Sequence, residues 1–325
     1  MWHLLVHAKS FARIEDALKP FSDRISPLIL HDDGQLTHPW GESEAKAAIA
    51  YGTQDAYFSP AALTYFQTLM GFEQLDWFQS SAAGTEHPMI QATGKKAALF
   101  SGSHEQSEAI AEWVLWAGLD FFQCGRERRQ AQADRTWTRL PFREIGGSCW
   151  TIFGFGGIGQ ACGRRLRALG ADVTGVRRSV VSSDAADRVV PTEAAMQALG
   201  DADVVLLCLP LTDATEDIAN AAFFAQMKPG SLLINVGRGG LVDETALFEA
   251  LENGRPAQAY LDVVREEPLP SDSPIWDNPN IVLTPHISAL TEGSAVRTDS
   301  VFLENIENFL AGTPLKNRVD PDEFA

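Results

Sequence analysis

The chain has 325 residues, 45% of them hydrophobic, which is more than one compact core usually holds and puts two domains ahead of one. Forty-three Asp and Glu against 26 Lys and Arg give a formal net charge of -17, which repels nucleic-acid backbones and anionic membrane surfaces and excludes both as expected partners. No stretch approaches the roughly 18 uninterrupted apolar residues of a membrane span, and Cys124, Cys149, Cys162 and Cys208 lack CxxC or zinc-type spacing, so a soluble cytoplasmic protein with reduced cysteines and no metal is expected.

Met1 to Lys9 contains no basic segment followed by a long apolar run and reads as a first strand, Trp2–His7, not as a signal peptide. Helical patterns at residues 11–19 and 60–70 then alternate with candidate strands at 47–51 and 77–80, with Ser59 as N-cap and Pro60 at the first helical position of the second pattern. This rhythm predicts a small α/β domain. Ser107–Phe122 carries apolar residues at helical spacing together with Trp113 and Trp116, which suits a bridge between domains, a subunit contact or plain core packing. Residues 126–139 are charged without an apolar period and read as an exposed arm.

From residue 150 onward, short apolar runs at 150–153, 172–176, 203–209, 231–236, 257–262 and 281–284 alternate with turn signals and helical patterns. Strands buried on both faces and joined by helices define parallel βαβ units, so a doubly wound sheet is expected. An amphipathic stretch at 291–310 is expected to return to the N-terminal domain. The expected division is residues 1–98 with 289–325 in one domain and 99–288 in the other.

Gly154-Phe155-Gly156-Gly157-Ile158-Gly159 directly follows the apolar run 149–153 and opens a helical pattern at 158–169 that ends at Gly170. That context is the one a dinucleotide fingerprint requires: glycine for the tight turn, for close approach to a pyrophosphate and for helix packing, with helix N–H groups facing the phosphates. About 20 residues on, where an NAD-type site places an acid for the ribose 2′-hydroxyl, the chain reads Arg177-Arg178-Ser179. Two guanidiniums and a hydroxyl suit a 2′-phosphate, which favours NADPH over NADH; solvated surface arginines are the alternative reading.

Downstream lie Asn235-Val236-Gly237-Arg238-Gly-Gly-Leu-Val-Asp-Glu244, Leu261-Asp262-Val-Val-Arg-Glu-Glu267-Pro-Leu-Pro270 and Leu283-Thr-Pro-His286-Ile-Ser288. Together with Leu209-Pro210-Leu-Thr212 and Met227-Lys-Pro-Gly230, the region from about Leu99 to Ser288 resembles the D-isomer-specific 2-hydroxyacid dehydrogenases, and the Arg177-Arg178-Ser179 turn is most similar to the glyoxylate/hydroxypyruvate reductase branch. The resemblance implies two Rossmann-like domains, a dinucleotide-binding domain and a smaller flavodoxin-like substrate domain, in a homodimer. It implies reduction of a small 2-oxo acid to the D-2-hydroxy acid. Other 2-oxo acids such as pyruvate or phenylpyruvate, or a dinucleotide-sensing corepressor-like binding protein, are the alternatives.

By the same resemblance Arg238 takes the substrate carboxylate and polarises its carbonyl, His286 is the general acid, and Glu267 orients the imidazole, with Glu266 as the adjacent competitor. A planar guanidinium, an imidazole that titrates near neutrality and a carboxylate beside it suit that chemistry. The backbone amides of Ala83 and Gly84 are implied as substrate contacts. Leu209, Pro210, Thr215, Val236, Gly237, Asp262, His286 and Ser288 are implied beside the cofactor. Tyr51 is either a pocket residue or a core tyrosine, and His104 lies in a stretch similar to the family's hinge.

Overall fold

Leucine, isoleucine and valine runs too short for helices form the centres of two sheets, and the chain divides into two units, residues 1–106 with 290–325 and residues 107–289. The structure, a computed structural model, describes all residues except 42–46, 83, 86 and 325 and leaves aside the side chains of 193, 322 and 323. The chain runs through β1 (Trp2–His7), α1 (Ala8–Leu18), β2 (Ile25–Leu30), β3 (Leu36–Thr37), β4 (Ala47–Gly52), α2 (Gln54–Tyr57), α3 (Ala62–Gly71), β5 (Gln74–Ser80), α4 (Pro88–Lys96) and β6 (Leu99–Ser101). There follow α5 (Ser107–Phe122), α6 (Gly125–Ala133), β7 (Cys149–Phe153), α7 (Gly157–Ala168), β8 (Asp172–Val176), β9 (Arg188–Val190), α8 (Ala195–Leu199) and β10 (Val204–Leu207). Last come α9 (Ala221–Gln226), β11 (Leu232–Asn235), α10 (Glu244–Glu252), β12 (Gln258–Leu261), β13 (Ile281–Leu283) and α11 (Glu292–Ala311).

The first unit's sheet has the order β3-β2-β1-β4-β5-β6, parallel except for the short antiparallel edge strand β3. Its core gathers Leu4, Val6, Ile49 and Trp77 around Phe302 and Ile306 of α11. Tyr51 belongs to this core: its ring stacks on Phe302 at 4.0 Å and its hydroxyl donates to Asp299 at 2.7 Å. The second sheet, β13-β12-β11-β10-β7-β8-β9, is parallel throughout, and its strand order reverses between β7 and β10. α5 packs on that sheet through Ile110, Val114 and Phe122, with Trp150 beneath them. Core packing thus accounts for one face of α5, while Trp116 and Leu119 stay partly exposed.

Four local differences from the sequence expectations have physical causes. The Ser59 hydroxyl accepts from the Ala61 N–H at 3.0 Å and donates to Asp32 at 2.8 Å, closing a small turn, so α3 starts at Ala62 and Pro60 precedes it. Part of the charged segment 126–139 is helical, because Arg129 grips Asp120 at 2.7 and 2.9 Å and anchors α6 beside α5. β6 pairs with β5, which carries the first unit past residue 98 to Gln106. Strand β2 was absent from the pattern because Pro27 interrupts it, yet it lies parallel to β1 along its whole length.

Asp203, at the start of β10, ties the second unit's surface to its sheet. Its buried carboxylate accepts from Arg143 at 3.1 and 3.2 Å, from Lys228 at 2.7 Å and from the Cys149 N–H at 3.0 Å. Burial alone would raise the carboxyl's pKa, but these three partners outweigh it and hold it at about 2. A carboxylate depressed in this way contributes stability that is present above its unfolded value of about 4 and is lost as pH falls through the folded value. Asp203→Asn should therefore cost on the order of 2 kcal/mol at neutral pH in denaturant unfolding, with the gap to the wild type closing in acid. An equal loss at neutral pH and near pH 2 would contradict this.

Candidate active site

The turn after β7 is shaped by backbone contacts. Gly154 has φ +94°, and a Cβ there would meet the Cys208 carbonyl oxygen at 2.5 Å, so only glycine lets β7 and the end of β10 approach this closely. The N–H groups of Gly154 and Phe155 donate to the Val176 carbonyl at 3.1 and 3.0 Å, and the Phe155 ring turns into the core. Gly156 precedes α7, whose first-turn amides at Gly157, Ile158 and Gly159 lack an intrahelical carbonyl. A pyrophosphate fits such a turn, which offers N–H groups, the positive end of a helix and no obstructing side chain at the strand-order reversal.

At the carboxyl end of β8, Arg177 is half-buried, Arg178 and Ser179 are exposed, and neither guanidinium has a hydrogen bond or ion pair among the described residues. After β10, Leu209 and Pro210 enter a turn that Thr215 closes. Its hydroxyl donates to the Pro210 carbonyl at 2.7 Å and accepts from the Thr212 N–H at 2.8 Å.

The loop after β11 carries Arg238. Asn235, fully buried at the strand end, accepts from the Gly237 N–H at 3.0 Å and donates to the Arg238 carbonyl at 2.9 Å. Val236 is buried between them, and the half-buried Arg238 donates to the Gly237 carbonyl at 2.7 Å. At Gly239 a Cβ would collide with the Val264 carbonyl group, so glycine brings this loop against the loop that bears Glu267.

Glu267 accepts from the Val264 N–H at 3.1 Å and faces Nδ1 of His286 at 2.8 Å. Burial pushes its carboxyl up, but the His286 contact, the Val264 N–H and the nearby Arg238 cation together hold it below the usual range. With an acceptor at Nδ1, that nitrogen carries the proton, leaving Nε2 as the ring atom that can exchange one with a substrate. The expected trio therefore converges within one unit: Arg238, Glu267 and His286 follow β11, β12 and β13.

His286 has φ +54°, a left-handed conformation uncommon for a residue with a side chain. Asp262, at the end of β12 and 1% exposed, holds it there. The Asp262 carbonyl accepts from the His286 N–H at 2.8 Å. Its carboxylate accepts from the Thr284 hydroxyl at 2.6 Å, from the Ile287 N–H at 2.9 Å and from the N–H of buried Ser288 at 2.9 Å. Asp262 thus acts on the His286 loop. Sequence reading assigned no role to Asn235 or Thr284; the available signal was a polar residue closing an apolar strand, in the motifs that also carry Arg238 and His286.

Gly84 lies in the loop after β5, in the first unit, and Ala83 falls outside the described residues. His104 is exposed in the segment that closes that unit.

A parallel sheet with a glycine turn at its strand-order reversal suits a dinucleotide, and the trio follows at the carboxyl ends of β11, β12 and β13 of the same sheet. Residues 116–288, more than half of the chain, match the sequence model of the D-isomer specific 2-hydroxyacid dehydrogenase NAD-binding domain, and the chain belongs to that family. Among its relatives, a hydroxypyruvate reductase of Blautia hydrogenotrophica is 36% identical over 188 residues, 57% of this chain and 58% of that protein. A D-3-phosphoglycerate dehydrogenase of Archaeoglobus fulgidus is 33% identical over 210 residues, 61% of this chain and 40% of that protein. The chain therefore spans less than two thirds of the length of either relative. The crystal structure of a D-isomer specific 2-hydroxyacid dehydrogenase from Xanthobacter autotrophicus Py2 in complex with NADPH and MES is 26% identical with a TM-score of 0.77, covering 100% of this chain and 99% of that one. A nicotinamide dinucleotide is the cofactor this family and fold support.

Asp262→Asn would replace one accepting oxygen by a donor and leave an N–H of the 284–288 segment facing it. The expected cost is roughly 1–3 kcal/mol of stability, read by denaturant unfolding, together with faster hydrogen exchange at the amides of Ile287 and Ser288. Unaltered exchange at both amides would contradict the assigned hold on the loop.

Proposed function

We propose that the protein is an NADPH-preferring reductase that converts a small 2-oxo acid, glyoxylate or hydroxypyruvate first among the candidates, to the D-2-hydroxy acid. The observation that carries this reading is the 2.8 Å pairing of His286 Nδ1 with Glu267, which leaves Nε2 to act while Arg238 stands nearby as a cation. Bound nicotinamide dinucleotide supplies the hydride, and the residues that would hold it are Gly154 to Gly159 with Arg177, Arg178 and Ser179.

Arg238 binds the substrate carboxylate through its planar guanidinium and draws electron density toward the carbonyl oxygen. His286, protonated, gives the proton at Nε2 to that oxygen as the carbonyl carbon is reduced. Glu267 stays ionised through the neutral range and, through its contact with Nδ1, fixes the ring plane. Two arginines without an acidic partner among the described residues, at the end of β8, support a 2′-phosphate, where an acid would select the 2′-hydroxyl. The alternative substrates pyruvate and phenylpyruvate share the carboxylate and carbonyl that Arg238 and His286 address, and differ only in the side chain.

Purified protein should oxidise NADPH faster than NADH with glyoxylate or hydroxypyruvate, and pyruvate and phenylpyruvate complete the panel. Replacing Arg177 and Arg178 by Gln should reduce the NADPH preference by about tenfold or more, a loss consistent with one or two charge-assisted hydrogen bonds; an unchanged preference would remove the NADPH assignment. His286→Ala should lower kcat by about 10²- to 10⁴-fold with dinucleotide binding retained, and undiminished turnover would assign the acid to another group.

A further inference from the structure

The stretch that carries Arg238 ends on Asp243-Glu244, and the reaction described above uses neither carboxylate. Asp243 caps α10, its side chain accepting from the Ala246 N–H at 3.1 Å. With the cap supplied, Glu244 at the first helical position reaches out of the helix and accepts from the Arg265 N–H at 2.8 Å, 21 residues downstream. Arg265 belongs to the loop that bears Glu267.

The peptide unit joining Val264 to Arg265 is thereby held from several directions. Its carbonyl lies so close to Gly239, the neighbour of Arg238, that a Cβ there would collide with it. Its N–H is held by Glu244. The Val264 N–H, one peptide earlier, is held at 3.1 Å by Glu267, whose other oxygen meets Nδ1 of His286 at 2.8 Å. Two carboxylates thus accept from consecutive amides, one on the helix that follows Arg238 and one in contact with the imidazole. The Arg265 side chain adds contacts to the same region, donating to the Asp217 carboxylate and to the Val242 carbonyl at 3.1 Å, with Glu216 at 3.5 Å. Asp217 in turn donates its N–H to the Gly240 carbonyl at 2.9 Å. Exposed ion pairs such as those of Arg265 contribute little by themselves, whereas a carboxylate accepting from a backbone amide makes a stronger and better directed bond.

We propose that Glu244 is a positioning residue of this site: by fixing the Val264–Arg265 peptide it sets where the Glu267 carboxylate stands, and so how the His286 imidazole is presented relative to Arg238. The kinetic consequence rests on the reductase reading, and the structural one does not. Glu244→Ala, Glu244→Asp and Glu244→Gln in the whole protein test it, by hydrogen exchange at the Val264 amide that Glu267 holds and by steady-state reduction of glyoxylate or hydroxypyruvate with NADPH. Gln keeps an acceptor of the same reach, Asp keeps the charge at the helix start but is one methylene short, and Ala keeps neither. In the Ala and Asp variants exchange at Val264 should quicken by about tenfold, from the loosened seat of Glu267. Their kcat should fall by about tenfold while KM for the acid and the dinucleotide Kd stay within about twofold, since a displaced catalytic group costs rate more than binding. The Gln variant should stay within about threefold of the wild type in both readouts.

Unchanged Val264 exchange or unchanged kcat in Glu244→Ala, a fall in kcat matched by an equal loss of dinucleotide binding, or a Gln variant as impaired as Ala would each overturn the proposal. If the Ala variant does not fold, Glu244→Asp decides by the same criteria. A wild type that reduces no 2-oxo acid overturns the reductase reading instead, and exchange at Val264 then decides the role of Glu244 alone.

Discussion

The buried carboxylate of Asp262 is the constraint on which the rest of the candidate site depends. It sits at the carboxyl end of β12, where the sheet fixes its position, and reaches across to the segment after β13 through three hydrogen bonds. A left-handed residue with a side chain costs on the order of 1–3 kcal/mol and persists where its surroundings over-determine it. The four Asp262 contacts, carbonyl and carboxylate together, do this for His286. The imidazole's meeting with Glu267 therefore depends on two neighbouring strands keeping register.

Similar supports recur at each functional side chain. Asn235 closes β11 and holds both ends of the peptide unit leading into Arg238, and Gly239 lets that loop lie against the backbone beside Glu267. Gly154 lets the turn after β7 touch the end of β10. In each case a residue at or just past a strand's carboxyl end fixes the loop that follows. Parallel pairing brings these ends to one edge of the sheet, so residues far apart in sequence become neighbours without long side chains reaching for one another.

Much of this was legible in the sequence because parallel strands buried on both faces write themselves as continuous apolar runs, and all six such runs in the second unit are strands. The glycine turn was legible because its strand and helix context is local, and the trio because each member sits in a distinctive stretch. What stayed hidden depends on contacts between distant residues. β2 is masked by Pro27, and α6 needs Asp120 to receive Arg129. α3 begins late because Ser59 bonds to Asp32, 27 residues away. The action of Asp262 on the His286 loop is invisible for the same reason, as its acceptors face partners 22 to 26 residues downstream.

The central claim is that Glu267 works through His286 to deliver a proton. The most direct test is kcat for 2-oxo acid reduction in the wild type and in Glu267→Gln. Replacing the ionised acceptor at Nδ1 by a neutral amide weakens the contact that fixes the ring, so kcat should fall by about tenfold or more with dinucleotide binding retained. A variant that turns over at the wild-type rate would contradict the account, because the 2.8 Å contact would then have no part in positioning the imidazole.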